Sequence, residues 1–118
     1  MAIKVLIVED DAPSRNFMKD TVKSQGFKAF TAENGLQGLE EFKKVKPDLV
    51  LSDINMPKMN GYELFKRCRV ISSELPVLFI TGNNFNEGVI ETINSQDNVD
   101  CIYKPFNAED LFKIVEKL

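Results

Sequence analysis

Three acidic residues at the ends of two apolar runs have the chemistry to hold a metal ion. Asp53 ends the run Leu49–Ser52, and Glu9 and Asp10 directly follow the run Val5–Val8. If these runs are neighbouring parallel strands, the three carboxylates meet at one sheet edge, and each close pair of like charges costs ~1 to 4 kcal/mol. A hard divalent cation such as Mg2+, which prefers oxygen ligands, would offset that repulsion. The spacing therefore predicts a metal beside a reactive aspartate.

Asp53 has the chemistry of a phosphoryl acceptor. A carboxylate can attack phosphorus and form an aspartyl phosphate, and such a transfer depends mainly on positioning and on neutralising the phosphoryl oxygens. Two residues at other predicted strand ends supply suitable groups, because Thr81 carries a hydroxyl donor and Lys104 a cation. The predicted metal ligands are Asp10, Asp53 and a backbone carbonyl near Asn55, with a metal-bound water held by Glu9.

Apolar runs alternate with amphipathic segments along the whole chain, and this pattern predicts the elements that position the site. The predicted strands are Val5–Val8, Phe27–Thr31, Leu49–Ser52, Val77–Thr81 and Val99–Tyr103. The first, third and fourth are almost continuously apolar, as is typical of parallel strands covered on both faces. Apolar residues three and four apart predict five helices; the stripe of the first is Phe17, Met18, Thr21 and Val22. The predicted fold is a doubly wound α/β sheet with its ligand site at the carboxyl ends of the strands.

Composition narrows the class of protein. The chain has 118 residues, 43% of them hydrophobic, and a formal net charge of −3, which disfavours a surface for nucleic acid. It has no histidine, so it is neither a phosphohistidine carrier nor a His-ligated zinc enzyme. Its two cysteines lack metal-type spacing, and no apolar stretch reaches the ~20 residues of a membrane span. We expect a single cytoplasmic domain, residues 1–118, that is a monomer or a weak dimer.

Four motifs in this order resemble those of receiver domains of two-component response regulators, above all the stand-alone chemotaxis type. The matching segments are Ile7–Asp11, Leu51–Gly61, Ile80–Gly82 and Tyr103–Phe106. The resemblance spans essentially residues 3 to 118. It implies the flavodoxin-like strand order 2-1-3-4-5 and a phosphorelay function that depends on Mg2+. The implied phosphoryl donor is a sensor histidine kinase or a histidine phosphotransfer domain, and the signal would pass to a downstream protein through altered contacts.

The same resemblance implies roles for individual residues. Asp53 would be the phosphoacceptor, and Thr81 and Lys104 would contact the phosphoryl group. Lys104–Pro105 would carry a cis peptide bond that aims the ammonium into the site. The implied Mg2+ ligands are Glu9, Asp10 and the Asn55 carbonyl. Asn55 and Asn83 lie two residues beyond Asp53 and Thr81, where side chains could tune the access of hydrolytic water.

The chain departs from the family pattern at the switch position. Three residues before the motif lysine, the family usually has Tyr or Phe, which turns inward as the threonine hydroxyl moves. Here that residue is Cys101, and Tyr103 lies beside Lys104 instead. By strand alternation Tyr103 points the same way as Cys101. Either Tyr103 replaces the missing aromatic, or the coupling from Thr81 to the output surface is weakened.

Three other functions compete with this interpretation. A flavodoxin-like nucleotide or flavin binder would need Gly, Ser and Thr after the first strand, whereas this chain has Glu9–Asp11. A receiver-like interaction module that acts without phosphorylation stays open because of Cys101. A hydrolase that passes through an aspartyl phosphate would need a second acid two residues after Asp53, where Asn55 stands. We therefore expect that the chain is not an enzyme, apart from catalysing its own phosphorylation from a donor and its own slow dephosphorylation. We also expect no output domain.

Overall fold

The computed structural model describes residues 3–56, 58–82, 98–104 and 106–117, which form one parallel sheet with helices packed on both faces. The strands are β1 Lys4–Val8, β2 Lys28–Ala32, β3 Leu49–Asp53, β4 Val77–Thr81 and β5 Val99–Tyr103. The helices are α1 Ala12–Ser24, α2 Gly35–Val45, α3 Gly61–Ile71 and α4 Ala108–Lys117. Within these residues, no helix combines the length and apolar character needed to cross a bilayer.

The strand order β2-β1-β3-β4-β5, with every neighbouring pair parallel, confirms the predicted doubly wound fold. The order reverses next to β1, so the carboxyl ends of β1 and β3 border the crevice where such sheets bind ligands. The helix predicted between β4 and β5 lies outside the described residues. Asn83 and the peptide bond between Lys104 and Pro105 also lie outside them, and these three expectations stay predictions.

The second strand begins one residue later than predicted. The Phe27 N–H donates to the Val22 carbonyl at 3.4 Å, so Phe27 still belongs to the turn that ends α1. Lys28 is the first residue to join the sheet, through its N–H to the Ile3 carbonyl at 2.8 Å. The third strand is one residue longer than predicted, because Asp53 pairs with Ile80 of β4.

Strand side chains alternate between two apolar cores, one on each face of the sheet. The core on the α2 and α3 side includes Leu6, Val8, Val50, Val77 and Phe79. The core on the α1 and α4 side includes Val5, Ile7, Leu51, Leu78 and Ile80. Because both faces are covered, β1, β3 and β4 have no solvent side, which accounts for their continuous apolar sequence.

The predicted apolar stripe of α1 is wrong at one position. Met18, Thr21 and Val22 are buried, but Phe17 is 40% exposed. Its ring contacts that of Phe106, with the centroids 5.9 Å apart, at the carboxyl end of the sheet. Phe17 therefore lies at the margin of the core, where an aromatic ring is covered by a loop residue and not by the sheet.

Candidate functional site

The carboxyl ends of β1 and β3 bring the three predicted acidic residues together. One carboxylate oxygen from each of Glu9, Asp10 and Asp53 lies within 4.8 Å of the other two. Glu9 is fully buried and Asp53 is 6% exposed, whereas Asp10 faces solvent. Like charges this close are unfavourable without a counter-ion, so the cluster is open to an incoming cation on the Asp10 side and closed on the Glu9 side.

Lys104 crosses the sheet edge from β5 and bridges two of these acids. Its Nζ donates to Glu9 Oε1 at 3.2 Å and to Asp53 Oδ2 at 3.1 Å. Burial lowers the pKa of Lys104, but the negative charges of Asp53 and Glu9 outweigh this effect and raise its pKa above the usual value. The Lys104 backbone N–H donates to the Thr81 carbonyl at 2.8 Å, which fixes the start of the side chain. Lys104 is therefore a permanent cation at the site.

The surroundings of Glu9 disfavour its charged form. Burial raises the pKa of Glu9 from 4.5 to about 8, with further contributions from the hydrogen bond that protonated Glu9 donates to Asp53 and from charge repulsion by Asp53. In the carboxylate form of Glu9, the buried Oε2 atom has no hydrogen-bond partner among the described residues. A buried oxygen without a partner costs free energy unless an ion or a water satisfies it. The cluster therefore fits a hard cation with oxygen ligands.

Asp53 is held by the loop that follows it. The Asn55 N–H donates to Asp53 Oδ1 at 3.2 Å, and the Gly61 N–H donates to the Ile54 carbonyl at 2.8 Å, which closes the loop. A Cβ atom on Gly61 would collide with the Asp53 carbonyl and lie 2.9 Å from the Ile54 Cα. Glycine is required at this position because the backbone returns against the strand end. The side chain of Asn55 is exposed.

Thr81 and the two candidate switch residues, Cys101 and Tyr103, lie on β4 and β5, on the side of β3 opposite β1. The Thr81 side chain is fully buried, and its hydroxyl donates to the Gly82 carbonyl at 3.2 Å. In the β4–β5 register, Thr81 stands beside Tyr103, whose side chain is 55% exposed. Cys101 is partly buried and packs against the core on the α2 and α3 side, and burial raises the pKa of its thiol to about 11. Tyr103 is therefore the aromatic residue that stands beside Thr81 in the sheet.

Two residues have roles at the site that the sequence pattern did not reveal. Asp11 caps α1, since its Oδ2 accepts the Ser14 N–H at 3.0 Å, and the hydrogen bonds from Ser14 lower the pKa of Asp11. Aspartate is a preferred N-cap residue, so the position of Asp11 directly before the predicted first helix is a signal that could have been recognised. Arg15 donates to the main-chain carbonyl of Glu9 at 2.9 Å. A contact to a carbonyl oxygen leaves no sequence pattern.

These features define a class of protein: a flavodoxin-like α/β domain with an acidic, lysine-bridged site at the carboxyl edge of its sheet. The family model of the response regulator receiver domain matches residues 5–116. The chain belongs to this family, and its function is that of a phosphorelay response regulator.

Named relatives agree with this assignment. The chain is 35% identical over 118 residues to the chemotaxis protein CheY of Bacillus subtilis, an alignment that covers 99% of this chain and 98% of that protein. It is 32% identical over 117 residues to sporulation initiation phosphotransferase F of the same organism, covering 97% and 91% of the two chains. Among solved structures, Vibrio cholerae chemotaxis protein CheY4 superposes with a TM-score of 0.90 at 28% identity, covering 99% and 98% of the two chains.

Proposed function

We propose that Asp53 accepts a phosphoryl group from a phosphohistidine of a partner protein. An Asp53 carboxylate oxygen attacks phosphorus, the phosphorus–nitrogen bond of the donor breaks, and the imidazole leaves with the electron pair. The observation that carries this proposal is the bridge of Lys104 between Glu9 and Asp53. A buried carboxylate at a strand end, with a fixed cation and further acids around it, suits a transfer that depends on positioning and charge.

The residues of the site fit one Mg2+ ion. Glu9 Oε2 is buried without a partner among the described residues, and oxygens of Glu9, Asp10 and Asp53 already lie within 4.8 Å of one another. These carboxylates, with the backbone carbonyl of Asn55, would hold the ion. Bound Mg2+ supplies positive charge that neutralises the phosphoryl oxygens.

Thr81 and Lys104 would recognise the phosphoryl group once it is on Asp53. The Lys104 ammonium is 3.1 Å from Asp53 Oδ2 and needs little movement to contact a phosphoryl oxygen. The Thr81 hydroxyl would exchange its bond to the Gly82 carbonyl for one to the phosphoryl group. That movement would shift the population of Tyr103 or Cys101 conformers at the neighbouring strand and change the contacts offered to a downstream protein. Asn83, beyond Thr81, would tune access of hydrolytic water.

A sensor histidine kinase or a histidine phosphotransfer domain is the proposed donor. The name of the relative phosphotransferase F supports a relay of phosphoryl groups. The only catalysis proposed for the chain itself is Mg2+-dependent phosphorylation of Asp53 from a donor and slow hydrolysis of the product. A phosphate-binding flavodoxin function is disfavoured because Asp11 already accepts the Ser14 N–H at the start of α1, where a phosphate would otherwise bind.

Intact-mass spectrometry after incubation with acetyl phosphate tests the proposal. We expect a labile gain of one phosphoryl mass in the wild type with Mg2+, and no gain with chelator or in Asp53→Asn. Asp48→Asn is the matched control, because it makes the same change at an exposed aspartate and should leave phosphorylation intact. A gain that persists in Asp53→Asn would assign the phosphoryl group to another residue. No gain in a wild type that binds Mg2+ would favour an interaction module that acts without phosphorylation.

A further inference from the structure

Arg15 connects the acidic loop after β1 to two neighbouring elements. It lies in the first turn of α1, and its Nη1 donates to the Glu9 carbonyl oxygen at 2.9 Å. Its Nη2 lies 3.8 Å from Glu33 Oε1 in the loop between β2 and α2. The Arg15 side chain is only 16% exposed, whereas that of Glu33 is 68% exposed. Of the two Arg15 contacts, the hydrogen bond to the Glu9 carbonyl is therefore better shielded from solvent than the ion pair with Glu33.

The carbonyl that Arg15 holds belongs to the peptide group between Glu9 and Asp10. A peptide group is planar, so fixing its oxygen fixes the orientation of the bond that joins the two residues. The other backbone group of Glu9 is held as well, since its N–H donates to the Ala32 carbonyl at 3.1 Å. The main chain between the two acids is thus held from α1 and from β2 at once.

We propose that Arg15 is a positioning residue for the divalent cation site. By holding the peptide group between Glu9 and Asp10, it sets the direction of both carboxylates relative to Asp53. Asp10 depends on this most, because its side chain is exposed and is not packed in place by a core. The inference rests on the proposed function for the identity of the ion as Mg2+.

The sign of the effect separates positioning from simple electrostatics. As a charge alone, the Arg15 guanidinium repels Mg2+, so its removal would tighten Mg2+ binding. As a positioning residue it pre-orders the ligands, so its removal would weaken binding. Loss of a group that orients metal ligands commonly lowers metal affinity about 10- to 100-fold. The two accounts therefore predict opposite changes for the same substitution.

Isothermal titration calorimetry of the full chain with Mg2+ tests the proposal. We expect Arg15→Ala to bind Mg2+ about tenfold more weakly than the wild type. Arg15→Lys should recover part of this loss, because its ammonium can donate to the same carbonyl. Lys23→Ala, which removes an exposed cation from the same helix, should bind like the wild type. Glu33→Gln should change the affinity less than fivefold, because an exposed pair contributes about 0 to 1 kcal/mol.

A folding control and the Arg15→Lys variant keep the test decisive. Urea unfolding without Mg2+ shows whether Arg15→Ala is folded, and Arg15→Lys decides the question if it is not. Arg15→Ala that binds Mg2+ as tightly as the wild type, or more tightly, overturns the proposal. Arg15→Lys that binds no better than a folded Arg15→Ala also overturns it. A wild type that binds no Mg2+ would instead refute the metal site itself, so the two failures are distinguishable.

Discussion

Replacing Glu9 with glutamine should stabilise the metal-free protein at neutral pH. Glu9 is fully buried, and burial together with the adjacent Asp53 raises its pKa from 4.5 to about 8. Between these two values the folded protein holds a proton that the unfolded chain has lost, so the wild-type free energy of unfolding falls as pH rises. At about 1.4 kcal/mol for each pH unit above 4.5, the cost is ~3 kcal/mol at pH 7. Glutamine has the same size and carries no charge, so it avoids this cost.

Urea unfolding at pH 5, 6, 7 and 8 with chelator present measures the effect. The advantage of Glu9→Gln should grow from less than ~1 kcal/mol at pH 5 to ~3 kcal/mol at pH 7, with an unchanged dependence on urea concentration. Glu40→Gln makes the same change at an exposed position of α2. That control should differ from the wild type by less than ~0.5 kcal/mol at every pH.

Mg2+ should reverse the advantage, because binding to the folded wild type adds stability that grows with ion concentration. At saturating Mg2+ the gap between wild type and Glu9→Gln should shrink or change sign. A gap that stays constant across pH would refute the reasoning. A less stable Glu9→Gln would mean that the attraction of Lys104 outweighs the burial of the carboxylate.

Two further substitutions test other parts of the site. Gly61→Ala should lower the free energy of unfolding by about 1–3 kcal/mol, because its Cβ would collide with the Asp53 carbonyl. Gly82→Ala, where a Cβ meets no atom of the described residues within 4 Å, is its control in urea unfolding, and equal losses would contradict the steric argument. In the wild type, acetyl phosphate and Mg2+ should change the iodide quenching of tyrosine fluorescence. Tyr103→Phe should unfold like the wild type but should not show this change in quenching. A change retained in Tyr103→Phe would assign it to Tyr62, the other tyrosine, and argue against Tyr103 as the switch.

The sheet and the acidic edge were predictable because strand burial is encoded locally. The composition of an apolar run such as Val5–Val8 indicates a strand that is covered on both faces of the sheet. The residue after such a run then lies at the carboxyl edge of the sheet. The start of β2 was not predictable in this way. It depends on whether the Phe27 N–H bonds to α1 or to β1, and the side chain of Phe27 suits either arrangement.

The proximity of Glu9, Asp10 and Asp53 followed from topology, but the contacts that organise them did not. The link from Arg15 ends on a carbonyl oxygen, which every residue has. The exposure of Phe17 had a similar origin: helical spacing places it on the apolar stripe, yet its position near the end of the sheet leaves it beside Phe106. Periodicity gives the direction of a side chain and says nothing of where the opposing surface ends.

The loop that returns from Asp53 to Gly61 also determines where the chain tolerates insertions. Its base is closed by the hydrogen bond from Gly61 to Ile54, and its far part meets α2, since a Cβ on Gly35 would collide with the Met59 carbonyl. Surface loops usually accept added residues, but a residue added between Met59 and Gly61 would have to shift one of these two contacts. For protein engineering, the segment from Met59 to Gly61 should keep its length, and Gly or Asn are the favoured replacements at the exposed Lys58, whose φ is 70°.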